Sequence, residues 1–99
     1  MRNRWLGLLG LGQRSGKVVS GEAAVEAMLK KGKGELLVLA GDLNSKRINV
    51  YQHWAKSLGI KSVIAGTKTE LGIALGKSPR AVVLILDAEL AKAVYENLV

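Results

Sequence analysis

The chain has 99 residues, 15 Lys and Arg against 8 Asp and Glu, a net charge of +7 at pH 7 and 48% hydrophobic residues. That length and balance exclude a multidomain enzyme and a strongly acidic tail, and fit one folded domain rather than a disordered chain. With no Cys there is no disulfide framework, thiolate zinc site or cysteine nucleophile, which suits a reducing, cytoplasmic setting, and a single His leaves almost no metal chemistry.

Met1 to Gly12 imitates a secretory signal, with two Arg ahead of Trp5, Leu6, Leu8, Leu9 and Leu11. The apolar part is too short, is broken by glycines and leads to no small-residue cleavage site, so it reads as mature protein and as a first helix carrying Trp5, Leu8 and Leu9. No apolar run approaches the roughly 20 residues that cross a bilayer, which argues against a membrane partner. Val18-Val19 fits a short edge strand. Glu22 to Lys31 is predicted helical, burying Val25, Met28 and Leu29, pairing Glu26 with Lys30 and ending before Gly32. Leu36 to Ala40 is an apolar strand. Ser45 to Leu58 sets Ile48, Tyr51, Ala55 and Leu58 on one helical stripe, with Asn44 or Ser45 as N-cap and Gly59 as stop. Ser62 to Ala65 is a second apolar strand, Thr69 to Leu75 a short helix stopped by Gly76, and Ala81 to Leu86 the most apolar strand. Ala88 to Leu98 is a last helix burying Leu90, Ala91, Val94, Tyr95 and Leu98. Uninterrupted apolar strands imply a sheet covered on both faces, hence an α/β fold: a three-layer α/β/α sandwich around a four-stranded mixed sheet.

The candidate chemistry is sparse. Gly10 to Lys17 is rich in Gly and basic groups, but Leu11 stands where a nucleotide P-loop needs its first Gly and Val18 where it needs Ser or Thr. Ser15 replaces the third Gly of a dinucleotide fingerprint. Asp42 and Asp87 follow apolar strands, where α/β sheets often place chemistry, yet Asp87 precedes Ala88-Glu89-Leu90 as an N-cap and Asp42 begins a turn. His53 shares a polar helical stripe with Lys46, Asn49 and Lys56 and reads as solvated, while Trp54 reads as core or core margin. Without a nucleophile, base, cofactor loop or metal set, the chain reads as no enzyme, with no cofactor and no small-molecule substrate.

Charge points to the partner instead. Met1 to Gly34 holds seven basic and two acidic residues, and a basic domain most often meets phosphate backbones. Lys30, Lys31 and Lys33 sit at a helix C-terminus, where cations complement the dipole. Lys77-Ser78-Pro79-Arg80, Gly16-Lys17 and Gly41 to Lys46 are expected to converge into one basic end.

Taken in order, Leu8 to Leu11, Arg14 to Glu22, Leu36 to Asp42, Glu70 to Gly72 with Ala74 to Lys77, and Arg80 to Val83 resemble the bacterial YlxQ-like proteins of the ribosomal L-seven-Ae/L-thirty-e superfamily. The resemblance covers nearly the whole chain and implies a single RNA-binding domain over residues 1–99, an α/β/α sandwich whose better-studied relatives bind kink-turn RNA. The implied partner is structured RNA, of kink-turn or ribosomal type. The family's RNA surface matches Ser20 to Ala27, Asp42 to Lys46 and Gly76 to Arg80. It implies contacts from Ser20, Gly21, Glu22, Ala23 and Asn44, with Lys17, Lys46, Lys77 and Arg80 neutralising phosphates. The helix face that carries polar side chains toward the RNA in the family matches Ala23, Ala24 and Ala27 here. Alanine reads no base edge, so recognition there falls to backbone, shape and charge. The alternative from another class is a protein-interaction or assembly module that uses these alanines and the Trp5 segment.

Overall fold

The computed structural model describes residues 3–98. Its elements are α1 (Arg4–Arg14), β1 (Val18–Ser20), α2 (Glu22–Lys30), β2 (Leu36–Leu39), α3 (Ser45–Ser57), β3 (Lys61–Ile64), α4 (Lys68–Leu75), β4 (Val82–Ile85) and α5 (Ala88–Glu96). The strands form one mixed sheet in the order β1-β4-β2-β3. β4 lies antiparallel to both β1 and β2, while β2 and β3 are parallel.

Side chains alternate across a strand with period two, and that alternation divides the core. Leu36, Val38, Val83 and Ile85 face one layer, where they meet Trp5 and Leu9 of α1, Leu71 and Leu75 of α4, and Ala91 and Val94 of α5. Leu37, Leu39, Val82 and Leu84 face the other, against Val25 and Leu29 of α2 and Tyr51 and Ala55 of α3. This is the predicted three-layer sandwich. β2 and β4 are buried along their whole length. β3 departs from the expectation of two covered faces: it is an edge strand with Lys61 and Ile64 exposed, because a short apolar run does not report how many of its faces are packed.

Three further expectations are corrected. Leu58 lies at the C-cap of α3 and is exposed rather than on the buried stripe. Trp5 is buried in the core, where its ring packs beside Gly66, so the exposed apolar group of the Trp5 segment is Leu11 and not the indole. α4 begins one residue early, at Lys68, because Thr67 and Glu70 form a reciprocal capping box: Thr67 Oγ1 accepts the Glu70 N–H at 3.1 Å and Glu70 Oε1 accepts the Thr67 N–H at 3.0 Å.

Strand direction then decides which loops meet. β1, β2 and β3 finish at the end of the sheet where β4 begins, so α2, α3 and α4 all start there, whereas α1, α2 and α3 finish at the opposite end. Between β3 and β4 the chain goes out along α4 and returns through Gly76 to Ala81. The return strand of this excursion presses on the helix at Gly72, where an added Cβ would stand 2.5 Å from the Ser78 carbonyl oxygen and 2.9 Å from Pro79 Cα. Replacing Gly by Ala inside a helix ordinarily gains up to about 1 kcal/mol. At this position the obstructing atoms are backbone, so Gly72→Ala is expected to lower stability by roughly 1–3 kcal/mol in urea denaturation, the reverse of the helix-propensity sign.

Candidate nucleic-acid interface

The turns that launch the three helices are tied across the end of the sheet. Gly21 N–H donates to Val82 O at 3.0 Å, Ala40 N–H to Ala81 O at 2.9 Å and Ala65 N–H to Leu39 O at 2.9 Å. Each helix start therefore sits at a set height beside its neighbour. α3 is capped by Asn44, whose Oδ1 accepts the Lys46 N–H at 2.8 Å. α4 has the Thr67 box, and Asp42 Oδ1 accepts the Lys68 N–H at 2.9 Å, which joins the loop after β2 to the start of α4. α2 differs: its N-cap is Gly21 and no side chain caps it. The first intrahelical bond runs from Val25 N–H to Gly21 O, so the N–H groups of Glu22, Ala23 and Ala24 have no partner within the helix; Glu22, Ala23 and Ala24 are exposed, and the Arg80 side chain runs beside Gly21.

A charged cluster fastens α2 to α3. Arg47 Nη2 donates to Glu22 Oε1 and, at 3.2 Å, to Glu26 Oε2. The Tyr51 hydroxyl lies 2.7 Å from Glu26 Oε2, 3.0 Å from Glu22 Oε1 and 3.1 Å from Arg47 Nη2, so it donates to a carboxylate and accepts from the guanidinium. The guanidinium carbon also stands 5.1 Å from the Tyr51 ring centroid, within cation–π range. The hydrogen bond from Arg47 holds the Glu22 carboxyl below its ordinary value, and the same bond raises Arg47. Burial pushes the Tyr51 phenol up, and the two neighbouring carboxylates push it further.

Most of the residues expected in the site do meet here. Ser20, Gly21, Glu22, Ala23, Asn44, Lys46 and Arg80 all lie where β1 and β2 end and β4 begins. Arg80 is turned inward as a latch: Nε donates to Ser20 Oγ at 3.2 Å, Nη1 to Ser78 Oγ at 2.7 Å, and its backbone N–H to Lys68 O at 3.0 Å. Lys77 is exposed past the C-terminus of α4, a helix length of roughly 12 Å from Lys68. Lys17 belongs to the opposite end, where its carbonyl accepts the Leu86 N–H at 2.8 Å as β4 leaves the sheet.

The expected single basic end is thus corrected by strand direction. The cations that do gather here, Lys46, Arg47, Lys68 and Arg80, stand among Glu22, Glu26, Asp42 and Glu70. Glu26 pairs with Arg47, where the sequence suggested Lys30. Arg47, Tyr51, Glu26 and Lys68 were missed, although Glu22 with Glu26 and Arg47 with Tyr51 share the one-turn spacing that puts both members of a pair on one helix face. Among the described residues no group of His, Cys, Asp or Glu is placed to hold a metal ion, and no helix is long and apolar enough to cross a membrane.

The cluster makes a pH prediction at both extremes. Glu22 has a folded-state pKa below its ordinary 4.5, so its contribution to stability is present above pH 4.5 and is lost as the pH falls through the lower, folded value. Tyr51 has a folded-state pKa above its ordinary 10.0, so its contribution is present below that pH and is lost as the pH rises beyond it. Chemical denaturation across pH is expected to show both losses, and Tyr51→Phe to flatten the alkaline one. In an ultraviolet titration Tyr51 ionises later than an ordinary phenol.

Comparison with known proteins places this geometry in a family. The model of the ribosomal protein L7Ae/L30e/S12e/Gadd45 family matches residues 3–95. The RNA-binding protein YlxQ of Bacillus subtilis is 30% identical over 83 residues, which cover 84% of this chain and 83% of that protein. A solved structure of a protein of unknown function from Bacillus halodurans superimposes with a TM-score of 0.90 at 27% identity, over 96% of both chains. The 15.5kD RNA binding protein of Giardia lamblia superimposes with a TM-score of 0.73 at 26% identity, over 94% of this chain and 80% of that one. The match along nearly the whole chain, together with these relatives, makes this protein a member of the ribosomal protein L7Ae/L30e/S12e/Gadd45 family.

Proposed function

We propose that the protein is a non-catalytic, cytoplasmic RNA-binding protein of ribosomal-protein type, the whole chain acting as one domain that holds structured RNA against the starts of α2, α3 and α4. The observation that carries this is the start of α2, where no side chain caps the helix N–H groups and Ala23 and Ala24 are exposed, with Lys46 exposed at the start of the neighbouring α3. Helix N-termini favour electron-rich groups through free donors and the dipole, and small side chains let an RNA backbone or a sheared base pair come close. The names of two relatives, one from Bacillus subtilis and one from Giardia lamblia, support RNA as the ligand class.

The residues divide by role. Gly21, Glu22 and Ala23 present backbone donors, Lys46 supplies a phosphate contact, and Lys77 extends the cationic surface along the flank. Asn44 holds the start of α3, while Ser20 and Arg80 hold the loop before β4 in place. Because carboxylates stand among the cations here, shape contributes more to affinity than bulk charge does, and this end selects a bent RNA over a regular duplex.

The test is binding to a kink-turn RNA and to a scrambled duplex of equal length across a range of salt. The kink-turn is expected to bind more tightly at every salt. Ala24→Leu, which puts a bulky side chain over the α2 donors at an exposed helical position, is expected to weaken kink-turn binding by at least about tenfold with little change in stability. Equal binding of the two RNAs sinks the shape argument. No binding to either transfers the exposed alanine face of α2 to a protein partner.

A further inference from the structure

The positive charge missing from the start of α2 is found at the other end of the sandwich. Lys30 and Lys31 close α2, Lys33 follows in the loop to β2, and Lys17 leads into β1. All four are exposed, and among the described residues none makes a salt bridge, in contrast to Arg47. They are neighbours through the end of β4. Lys17 O accepts the Leu86 N–H on one side of that strand, and Ile85 O accepts the Glu35 N–H at 2.7 Å on the other. Lys33, Gly34 and Leu86 line one open depression. Two strand spacings, roughly 10 Å, separate the Lys17 and Lys33–Glu35 backbones, a distance that side chains of this length span toward neighbouring phosphates of one strand.

Helix capping does not account for this group. The end of α2 is already closed by backbone bonds, from Lys31 N–H to Met28 O, Gly32 N–H to Leu29 O and Lys33 N–H to Met28 O, each at 2.9 to 3.0 Å. The dipole acts only over the last turn, which contains Lys30 and adjoins Lys31 but reaches neither Lys33 nor Lys17. Of the nearby acids, Asp87 is engaged in capping α5, its Oδ2 accepting the Leu90 N–H at 2.9 Å, and Glu89 belongs to the first turn of that helix, where its charge suits the dipole, while Glu35 follows Lys33 in the loop to β2, so the lysines outnumber the acids here.

We infer that Lys17, Lys30, Lys31 and Lys33 form a second nucleic-acid surface, one that contacts the phosphate backbone of an RNA helix extending beyond the segment held at the starts of α2 and α3. The surface rests on RNA being the ligand, but not on which end of the protein recognises its shape. It reads no sequence; it adds affinity and salt dependence for RNA long enough to reach it.

The experiment compares the kink-turn RNA with the same RNA carrying stems lengthened by one helical turn, and three proteins: wild type, a quadruple Lys→Gln variant at 17, 30, 31 and 33, and a Lys46→Gln variant. All the substitutions are at exposed positions, and circular dichroism checks that each variant is folded. Wild type is expected to bind the longer RNA more tightly. The quadruple variant is expected to lose that advantage, by about tenfold or more at low salt, with the slope of log affinity against log salt shallower by about 3. An unchanged slope and affinity in the quadruple variant, with binding weakened in Lys46→Gln, overturns the second surface and leaves the first intact. Failure of wild type to bind either RNA overturns RNA as the ligand. If the quadruple variant instead loses binding to phosphatidylserine vesicles while its RNA binding is unchanged, the lysines serve a lipid headgroup surface and the inference is wrong.

Discussion

Everything at the two ends of this molecule depends on β4 being inserted, antiparallel, between β1 and β2. That one insertion leaves β1 and β2 pointing the same way, and β3 runs parallel to β2, so the three helices that follow them start together and the loop before β4 joins them. It also demands a strand packed on both faces, which Val82, Val83, Leu84 and Ile85 satisfy with no exposed position. A polar residue anywhere in that run would be buried without a free partner, at a cost of roughly 1–3 kcal/mol. The same arrangement sends the C-termini of α1, α2 and α3 to the opposite end, where Arg14, Lys30 and Lys56 occupy the last turns as the helix dipole favours, while Lys17 and Lys33 stand there outside any helix.

Much of this was legible in the chain. The continuous apolar runs at Leu36 to Ala40 and Ala81 to Leu86 do become the central strands, and the stop at Gly76 and the caps at Asn44 and Asp87 are as read. What was not legible follows from strand order. Nothing local distinguishes Val63 and Ile64 from Val82 and Val83, yet only the latter pair has a strand on either side. Nothing local says that Lys17, which precedes β1, and Lys46, which follows β2, lie at opposite ends of the sheet, because that depends on β1 and β2 pointing the same way. Long-range pairing also redirected single residues. Glu26 has a suitable partner one turn along its own helix, but Arg47 and Tyr51 approach from α3 and take it.

The Arg47 cluster explains why residues that look like ligand contacts are occupied otherwise. Glu22 at the first turn of α2 suits the helix dipole and would, if free, repel a phosphate arriving at the donors behind it. Bonding to Arg47 and Tyr51 draws its carboxylate toward α3 and offsets its charge. Arg47 is in turn no free phosphate anchor, since one nitrogen is shared between two carboxylates and a hydroxyl. Arg80 is likewise directed at Ser20 and Ser78. The groups with the most obvious polar chemistry thus build the shape of this end, while the groups left facing outward are backbone N–H donors, alanine methyls and Lys46.

A division of labour between the ends follows from electrostatics. Unscreened charge attracts every phosphate backbone alike, so a site dense in lysines gains affinity and on-rate but discriminates poorly. A charge-balanced site surrenders that attraction and discriminates by fit, because a mismatched ligand leaves donors unpaired and repelled carboxylates uncompensated. Combining both in one patch would let bulk attraction swamp the difference in fit. Here α2 separates them: its start offers uncapped donors among neutralised charges, and its end carries the free lysines, about 13 Å away along the helix. An RNA that fits at one end gains from the other only if its backbone continues in the right direction, so the lysines reward geometry that the first site has already selected.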